Sequence, residues 1–234
     1  MELIKENWTK QDIQDFYHFE NILKGDKKDC EWEQKIVATK LECFAKTSLK
    51  AKQVAKQILK GNYFSFLDEI QIKTHFDSIV CANIISHIKN FEVFEKYLDK
   101  YVLTIDNWAS CDTLSFKNKP HEKLFCLSQK YLTNQKLFIR RVGVDILFTL
   151  IDNNDYIEKI FDVLNSLISE QEYYVNMCGA WLLCECFVKQ REKTLQYFKL
   201  NSTNSFIINK AISKCRDSFR VSNQDKKHLL SFKR

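Results

Sequence analysis

Proline and glycine are almost missing from this chain, which has one proline and four glycines among its 234 residues. Turn-rich β architectures need glycine where φ is positive and proline where a turn is preorganised. A chain with so few of either predicts helices joined by short polar turns. We therefore expect an all-α protein.

Apolar residues recur at helical spacing along most of the chain. Ile36, Val37, Leu41 and Phe44, for example, follow one another at the short steps that place side chains on one helix face. The pattern predicts helices at about residues 10–23, 31–45, 48–60, 63–69, 71–88, 91–101, 103–116, 121–133, 136–151, 155–169, 172–188 and 203–219, with a short one near the end.

Two of these segments are related by a shift of about 36 residues, with poor identity but with apolar positions mostly facing apolar ones. Phe138, Arg140, Val142, Asp145 and Leu150 then fall opposite Tyr174, Asn176, Cys178, Trp181 and Cys186. A period near this length with two helices per repeat is typical of HEAT-like arrays of antiparallel helix pairs. Because no linker interrupts the pattern, we expect a single domain over residues 1–234.

Composition also limits the function classes. The nine cysteines include no CxxC pair, and Cys184 and Cys186 lie in an apolar helical run, so we expect reduced core thiols in a cytoplasmic protein. The start of the chain is polar, and no apolar stretch approaches the ~20 residues of a membrane span. The five histidines lack metal spacing, and no P-loop, GxSxG or HExxH motif occurs, so we expect neither metal nor cofactor.

The net charge of +6 is concentrated near the two ends of the chain. Residues 189–234 hold 12 Lys or Arg against three acids, and residues 40–60 hold six lysines against Glu42 alone. Basic ends of this kind suit a polyanion such as DNA. Ordinary solvated helix faces are the alternative, and charge alone does not decide between them.

The most distinctive local pattern is Trp108 followed by Asp112, in the stretch Asn107-Trp-Ala-Ser-Cys-Asp112. On a helix these two side chains share one face. A second tryptophan, Trp181 on another helix, would complete an aromatic pocket with one acid in it. Such a pocket suits a cationic ligand, because ring faces and a carboxylate both attract positive charge. Packing in the core is the other interpretation of both tryptophans.

Three stretches, in order, resemble the DNA alkylation repair family, the AlkD-like, HEAT-like-repeat DNA glycosylases. They are residues 105–112, residues 173–189, and the ending that runs from Asn209-Lys-Ala-Ile212 to Ser218-Phe-Arg-Val-Ser222. The resemblance extends from about Glu33 to the C-terminus. It implies an α-solenoid bent into a concave cradle that binds duplex DNA as a monomer and excises cationic N3- or N7-alkylated purines in base excision repair.

The resemblance also implies roles for individual residues. Asp112 would stabilise the oxocarbenium-like deoxyribose and orient the attacking water, while Trp108 and Trp181 flank the lesion. An arginine on the 136–151 helix would contact phosphate, and both Arg140 and Arg141 fit, with a slight preference for Arg141. Further phosphate contacts are expected at seven basic positions: Lys50, Lys52, Lys56, Lys210, Lys214, Arg216 and Arg220.

Other features leave alternatives open. Asp106 suits the N-terminal anion of a helix better than a catalytic role, and Glu185 suits a hydrogen bond within the repeats better than the cleft. Ala109-Ser-Cys111 is a shorter version of the family's tryptophan- and aspartate-rich motif, and Ala45–Lys50 lacks its usual glycine turn. A catalytically weak DNA-binding paralogue and a HEAT-type protein-binding scaffold are therefore the competing hypotheses.

Overall fold

The computed structural model describes residues 1–45, 47–200 and 204–234 of the protein. This part of the chain contains 14 α-helices, three 3₁₀ turns and no β-strand, apart from one isolated bridge between Glu42 and Thr74. The predicted all-α fold is confirmed. Packing divides the chain into two compact units, Met1–Lys119 and Pro120–Arg234.

The first unit is built around one helix that is apolar on nearly every face. Its seven helices are α1 (Lys10–Ile22), α2 (Lys27–Val37), α3 (Thr47–Ile58), α4 (Tyr63–Glu69), α5 (His75–Ser86), α6 (Phe91–Tyr101) and α7 (Trp108–Asp112). Almost every side chain of α5 is buried, as expected for a helix that is surrounded by others. It packs against α3, α6 and α7, so it fixes the position of the Trp108 helix.

Helix α2 differs from its predicted range of 31–45. It starts earlier and ends at Val37, because Ala38 adopts a left-handed conformation with φ of 58°. Beyond it the chain is irregular, and the Glu42 carbonyl accepts a hydrogen bond from the His75 amide at 2.9 Å. The apolar residues at 41–44 thus belong to a non-helical connection, although their spacing also fits a helix.

A pair of buried carboxyl groups joins α1 to the start of α5. Glu20 and Asp77 are almost fully buried and face each other. Asp77 also accepts the backbone amides of Lys73 (2.9 Å) and Thr74 (3.0 Å), which closes the N-terminal cap of α5. Burial, together with the neighbouring Asp77, raises the pKa of Glu20 well above its usual range. Burial raises the pKa of Asp77 as well, so the pair favours keeping a proton at neutral pH.

We expect Glu20→Gln to stabilise the protein at neutral and alkaline pH. In the unfolded chain Glu20 loses its proton near pH 4.5, the ordinary pKa of a glutamate, whereas the folded carboxyl keeps it. The free energy of unfolding of the parent therefore falls as the pH rises above 4.5. Glutamine donates to Asp77 without taking up a proton. Thermal melts should show the variant about 5 °C above the parent at pH 8 and level with it near pH 4.

The control for this comparison is Asp15→Asn, which changes an exposed carboxylate on the same helix. Its melting temperature should follow that of the parent at each pH. A Glu20→Gln variant that melts at or below the parent at pH 8 would show that the buried pair does not take up a proton on folding.

The second unit is a stack of helix pairs. Its helices are α8 (His121–Leu132), α9 (Leu137–Leu147), α10 (Ile157–Ser166), α11 (Tyr173–Lys189), α12 (Arg191–Leu200), α13 (Ser205–Asp217) and α14 (Asn223–Leu229). Helices α9, α11 and α13 pack on one another in succession, while α8 packs against α9 and α12 packs against α11. Because α9 and α11 begin 36 residues apart, at Leu137 and Tyr173, the predicted repeat is present in this unit.

Helix α12 is missing from the sequence prediction. Six of its ten residues are polar, so its apolar face is too sparse to recognise, although Leu195, Tyr197 and Phe198 are buried. The following helix was predicted to start at residue 203, which lies outside the described residues; α13 is described from Ser205. The last helix, α14, is capped by Ser222, whose hydroxyl accepts the Asp225 amide at 3.1 Å.

The thiols and the helix lengths complete the description of the fold. All nine cysteines are free, and eight of them are buried, which leaves Cys126 exposed. None of the helices in the described ranges combines the length and apolar character needed to cross a membrane.

Candidate functional site

The Trp108 helix is a single turn whose backbone is fixed by polar contacts. The Asn107 side chain caps it by accepting the Ser110 amide at 2.8 Å. The Ser110 hydroxyl is buried and accepts a hydrogen bond at 2.8 Å from Ser78 on α5, and Tyr101 on α6 donates to the Ser110 carbonyl at 3.3 Å. These contacts hold α7 in one position, although it has only five residues.

Asp106 anchors the segment just before this helix. Its carboxylate accepts hydrogen bonds from the Thr39 hydroxyl (2.5 Å), the Lys40 amide (2.7 Å) and the Asn107 side chain (2.9 Å). Partial burial opposes ionisation, but these donors hold the pKa of Asp106 below its usual value. Asp106 therefore stabilises the connection to the end of α2. The helix predicted at 103–116 is wrong in its bounds, since α7 covers only Trp108–Asp112 and Asp106 lies before it.

Trp108 and Asp112 are the first and last residues of α7. One helical turn separates them, so they lie on the same face, as the sequence predicted. Trp108 is half-buried, and its indole Nε1 donates to the Ile36 carbonyl at 3.2 Å. Asp112 is also half-buried. The ring is thus oriented by the end of α2, and the carboxylate lies at the C-terminal end of a fixed helical turn.

Trp181 belongs to the second unit, where it lies on α11 with 39% of its surface exposed. Its ring meets Phe148 edge to face at a centroid distance of 5.1 Å. The ammonium group of Lys214 on α13 lies 5.7 Å from the ring centroid. Trp181 is therefore not a core residue. An exposed indole with a cation over its ring is an arrangement that binding surfaces use.

Trp181 is part of a wider surface, which we call the α11–α13 surface, formed by Tyr173, Trp181, Lys210 and Lys214. Lys210 and Lys214 lie one turn apart on α13, and Lys210 lies 5.8 Å from the ring of Phe206. Tyr173 is 56% exposed and meets the same Phe206 ring at 5.9 Å. Aromatic rings and ammonium groups therefore alternate on this surface.

Arg140 is held by protein groups on all sides of its guanidinium. It forms a two-point ion pair with Glu170, at 2.8 and 3.1 Å, and donates to the carbonyls of Asn134 (3.0 Å) and Gln135 (2.8 Å). Partial burial of Glu170 opposes ionisation, but Arg140 keeps the pKa of Glu170 below its usual value. This pair joins the start of α9 to the connection before α11.

Arg141 is more deeply buried, with 4% of its surface exposed. It donates to the Tyr174 carbonyl at 2.6 Å, and its Nε lies 3.9 Å from Asp145. Both arginines thus contribute to the packing of α9 against α11. A phosphate contact by either one remains a prediction, and it requires exchange of these protein partners.

The remaining basic positions fall into two groups. Lys52, Lys56, Lys210 and Arg216 are exposed. Lys50 donates to the Leu23 carbonyl at 2.6 Å, and Arg220 pairs with Glu185. Glu185 therefore has the contact within the repeats that its sequence position suggested. Among the described residues, no group of three or more His, Cys, Asp or Glu is placed to hold a metal ion.

Sequence reasoning did not single out two aromatic residues of the second unit. Phe148 supports the indole from the end of α9, and its only signal in the sequence is the helical spacing of apolar residues. Phe219 is fully exposed in the turn after α13. The signal that points to Phe219 is its position between basic residues, in Arg216-Asp-Ser-Phe-Arg220.

A comparison of the sequence with models of known protein families tests the resemblance. The family model described as DNA alkylation repair enzyme matches residues 22–215. This chain belongs to the DNA alkylation repair enzyme family. The match crosses from the first unit into the second and includes α7, α9, α11 and most of α13. No curated protein matches the chain. Family membership supports a role in the repair of alkylated DNA and makes DNA the substrate to consider.

Proposed function

We propose that this protein is a monofunctional DNA glycosylase that removes cationic N3- and N7-alkylated purines from duplex DNA. The observation that carries the proposal is the placement of Trp108 and Asp112 at the two ends of one fixed helical turn. Family membership and the exposed Trp181 support it. The family match also runs through both units, which supports one functional domain over residues 1–234.

The proposed mechanism uses the charge that the damaged base already carries. An alkylated purine with a formal positive charge leaves as a neutral molecule, so it needs little help from an acid. The deoxyribose gains oxocarbenium character as the bond breaks, and Asp112 stabilises that charge and orients the attacking water. Trp108 and Trp181 are the residues proposed to flank the lesion, because their ring faces attract the cation. No metal or cofactor takes part.

Basic residues from both ends of the chain hold the phosphates in this proposal. The exposed side chains of Lys52, Lys56, Lys210 and Arg216 are the strongest candidates, while Lys50, Lys214 and Arg220 add to the positive potential. Arg140 and Arg141 shape the α9–α11 pair that supports Trp181. The protein acts as a monomer in the cytoplasm, on chromosomal DNA.

The proposed activity is tested by incubating the protein with duplex DNA that contains 7-methylguanine. We expect release of the free base above the spontaneous rate of a protein-free sample, and an abasic site that alkali then cleaves. A duplex with hypoxanthine, a neutral base, should release little, because its base departs without a positive charge. If DNA binds but no base is released, the catalytically weak paralogue is the better interpretation.

A further inference from the structure

Two cysteine thiols meet where α11 packs on α13. The Cys215 thiol donates a hydrogen bond to the Cys184 sulfur, although the two residues are far apart in the sequence. The helices are in tight contact here, because a Cβ atom added at Gly179 on α11 would lie only 3.1 Å from Cδ1 of Ile207 on α13. Packing of the two helices therefore holds a pair of reduced thiols in direct contact.

The thiol pair lies next to the α11–α13 surface. Trp181 and Cys184 are three residues apart on α11 and share one helix face. On α13, Cys215 directly follows Lys214, whose ammonium group lies 5.7 Å from the centroid of the Trp181 ring. Cys184 keeps 3% of its surface exposed, whereas Cys215 is fully covered. Cys184 is therefore the sulfur that a small molecule from solvent meets first.

The two thiols differ in their tendency to ionise. The hydrogen bond from Cys215 holds the pKa of Cys184 below its usual value. Burial and Glu185 oppose this shift, whereas Arg220 and Lys214 support it. The same hydrogen bond, together with burial, raises the pKa of Cys215. Because the thiolate is the nucleophilic form of cysteine, Cys184 is suited to attack and Cys215 to hold the proton.

We propose that Cys184 and Cys215 are a redox-active dithiol that a hydroperoxide oxidises to a disulfide bond between α11 and α13. The Cys184 thiolate attacks one peroxide oxygen and the O–O bond breaks. This step gives a sulfenic acid on Cys184 and an alkoxide or hydroxide, which takes a proton from solvent.

The second step closes the disulfide bond. The Cys215 sulfur attacks the Cys184 sulfur, the S–O bond breaks, and the hydroxyl group leaves as water with the proton of Cys215. The two thiols supply the two electrons that reduce the peroxide. A covalent bond holds the sulfurs closer than a hydrogen bond does, so oxidation changes the packing beside the contact between Lys214 and Trp181. This chemistry needs no DNA and is independent of the proposed glycosylase activity.

The experiment follows the oxidation of Cys126→Ser protein by hydrogen peroxide. This background removes the one exposed thiol and leaves eight of the nine cysteines. The number of free thiols, counted after denaturation, should fall by two, to six. The intact mass should fall by about 2 Da, the two hydrogen atoms lost, and dithiothreitol should restore both values. Peptide mapping should place the link between Cys184 and Cys215.

Variants in the same background separate the two steps. Cys215→Ser should stop at the sulfenic acid on Cys184, which dimedone traps, and Cys184→Ser should give neither the sulfenic acid nor the disulfide. The matched control is Cys186→Ser, which removes a buried thiol from the same helix, and it should form the disulfide as its parent does. Thermal melts of the reduced proteins show that each variant is folded.

Three results would overturn the inference. The first is a Cys126→Ser protein that keeps all eight thiols reduced in an excess of peroxide. The second is a link that involves Cys178 or Cys186, which would assign the reactivity to other thiols of α11. The third is a sulfenic acid on Cys215 in folded Cys184→Ser, because Cys215 would then be the attacking thiol. The first two need no variant of the pair, so they hold even if one of its substitutions prevents folding.

Discussion

Asp112→Asn should abolish most excision while leaving fold and DNA affinity intact. The amide keeps the shape of the side chain but removes the negative charge that stabilises the oxocarbenium-like sugar. Loss of one well-placed electrostatic group in such a site costs about 3–4 kcal/mol, on the order of 10²–10³ in rate. Single-turnover release of 7-methylguanine measures this directly, and the melting temperature and the DNA affinity should match those of the parent.

Asp106→Asn provides the contrast, because it changes a carboxylate only six residues earlier in the chain. Asp106 accepts hydrogen bonds from Thr39, Lys40 and Asn107, so its loss should lower the melting temperature. The rate of excision by the protein that remains folded should change far less than with Asp112→Asn. If Asp112→Asn releases the base as fast as the parent, Asp112 is not the catalytic carboxylate.

Duplex binding should weaken on the order of 10³ between 50 and 200 mM salt, the change typical of about six phosphate contacts. Each lysine that contacts a phosphate releases a counterion, so neutralising it lowers the slope of the logarithm of affinity against the logarithm of salt by about one. Lys52→Gln/Lys56→Gln at one end and Lys210→Gln/Arg216→Gln at the other should each reduce this slope by about two. Anisotropy titrations over a salt series measure it.

Lys89→Gln/Lys96→Gln is the control for these variants, since both lysines are exposed but belong to the near-neutral middle of the chain. Its slope should equal that of the parent. Binding that is insensitive to salt, or no binding at low salt, would favour the protein-binding scaffold over a DNA enzyme. An effect confined to one of the two double variants would limit the DNA contacts to one unit.

Most helices could be predicted from the sequence, because the spacing of apolar residues and the capping residues both favour them. Helices α4 and α6 have the predicted ends, and the repeat of α9 in α11 follows from one shift of the sequence. Where the prediction failed, longer-range contacts decided. Helix α2 ends at Val37, because Ala38 turns left-handed, and the irregular segment after it is held by the pairing of Glu42 with the start of α5. Helix α12 is polar in sequence, and its few apolar residues become recognisable only when they are buried.

The candidate site divides in the same way. That Trp108 and Asp112 share a helix face follows from their spacing alone, even though α7 has only five residues. Which of Arg140 and Arg141 is available to contact phosphate does not follow from spacing. It depends on protein partners about 30 residues away, which are Glu170 for Arg140 and the Tyr174 carbonyl for Arg141. The convergence of Trp108 and Asp112 with Trp181 stays a prediction, since these residues belong to different units.

The sequence by itself determined that this chain is helical and that it repeats, and it predicted which Trp and Asp residues carry the family motif. These properties depend on spacing within one or two helical turns, which the order of residues encodes directly. Only the tertiary structure decided which charged side chains form ion pairs or hydrogen bonds within the protein. Arg140, Arg141, Asp106 and Glu185 are held by protein partners, while Trp181 and Phe219 are left exposed. The physical reason is that exposure and ion pairing depend on which helices pack together, and distant residues set that packing.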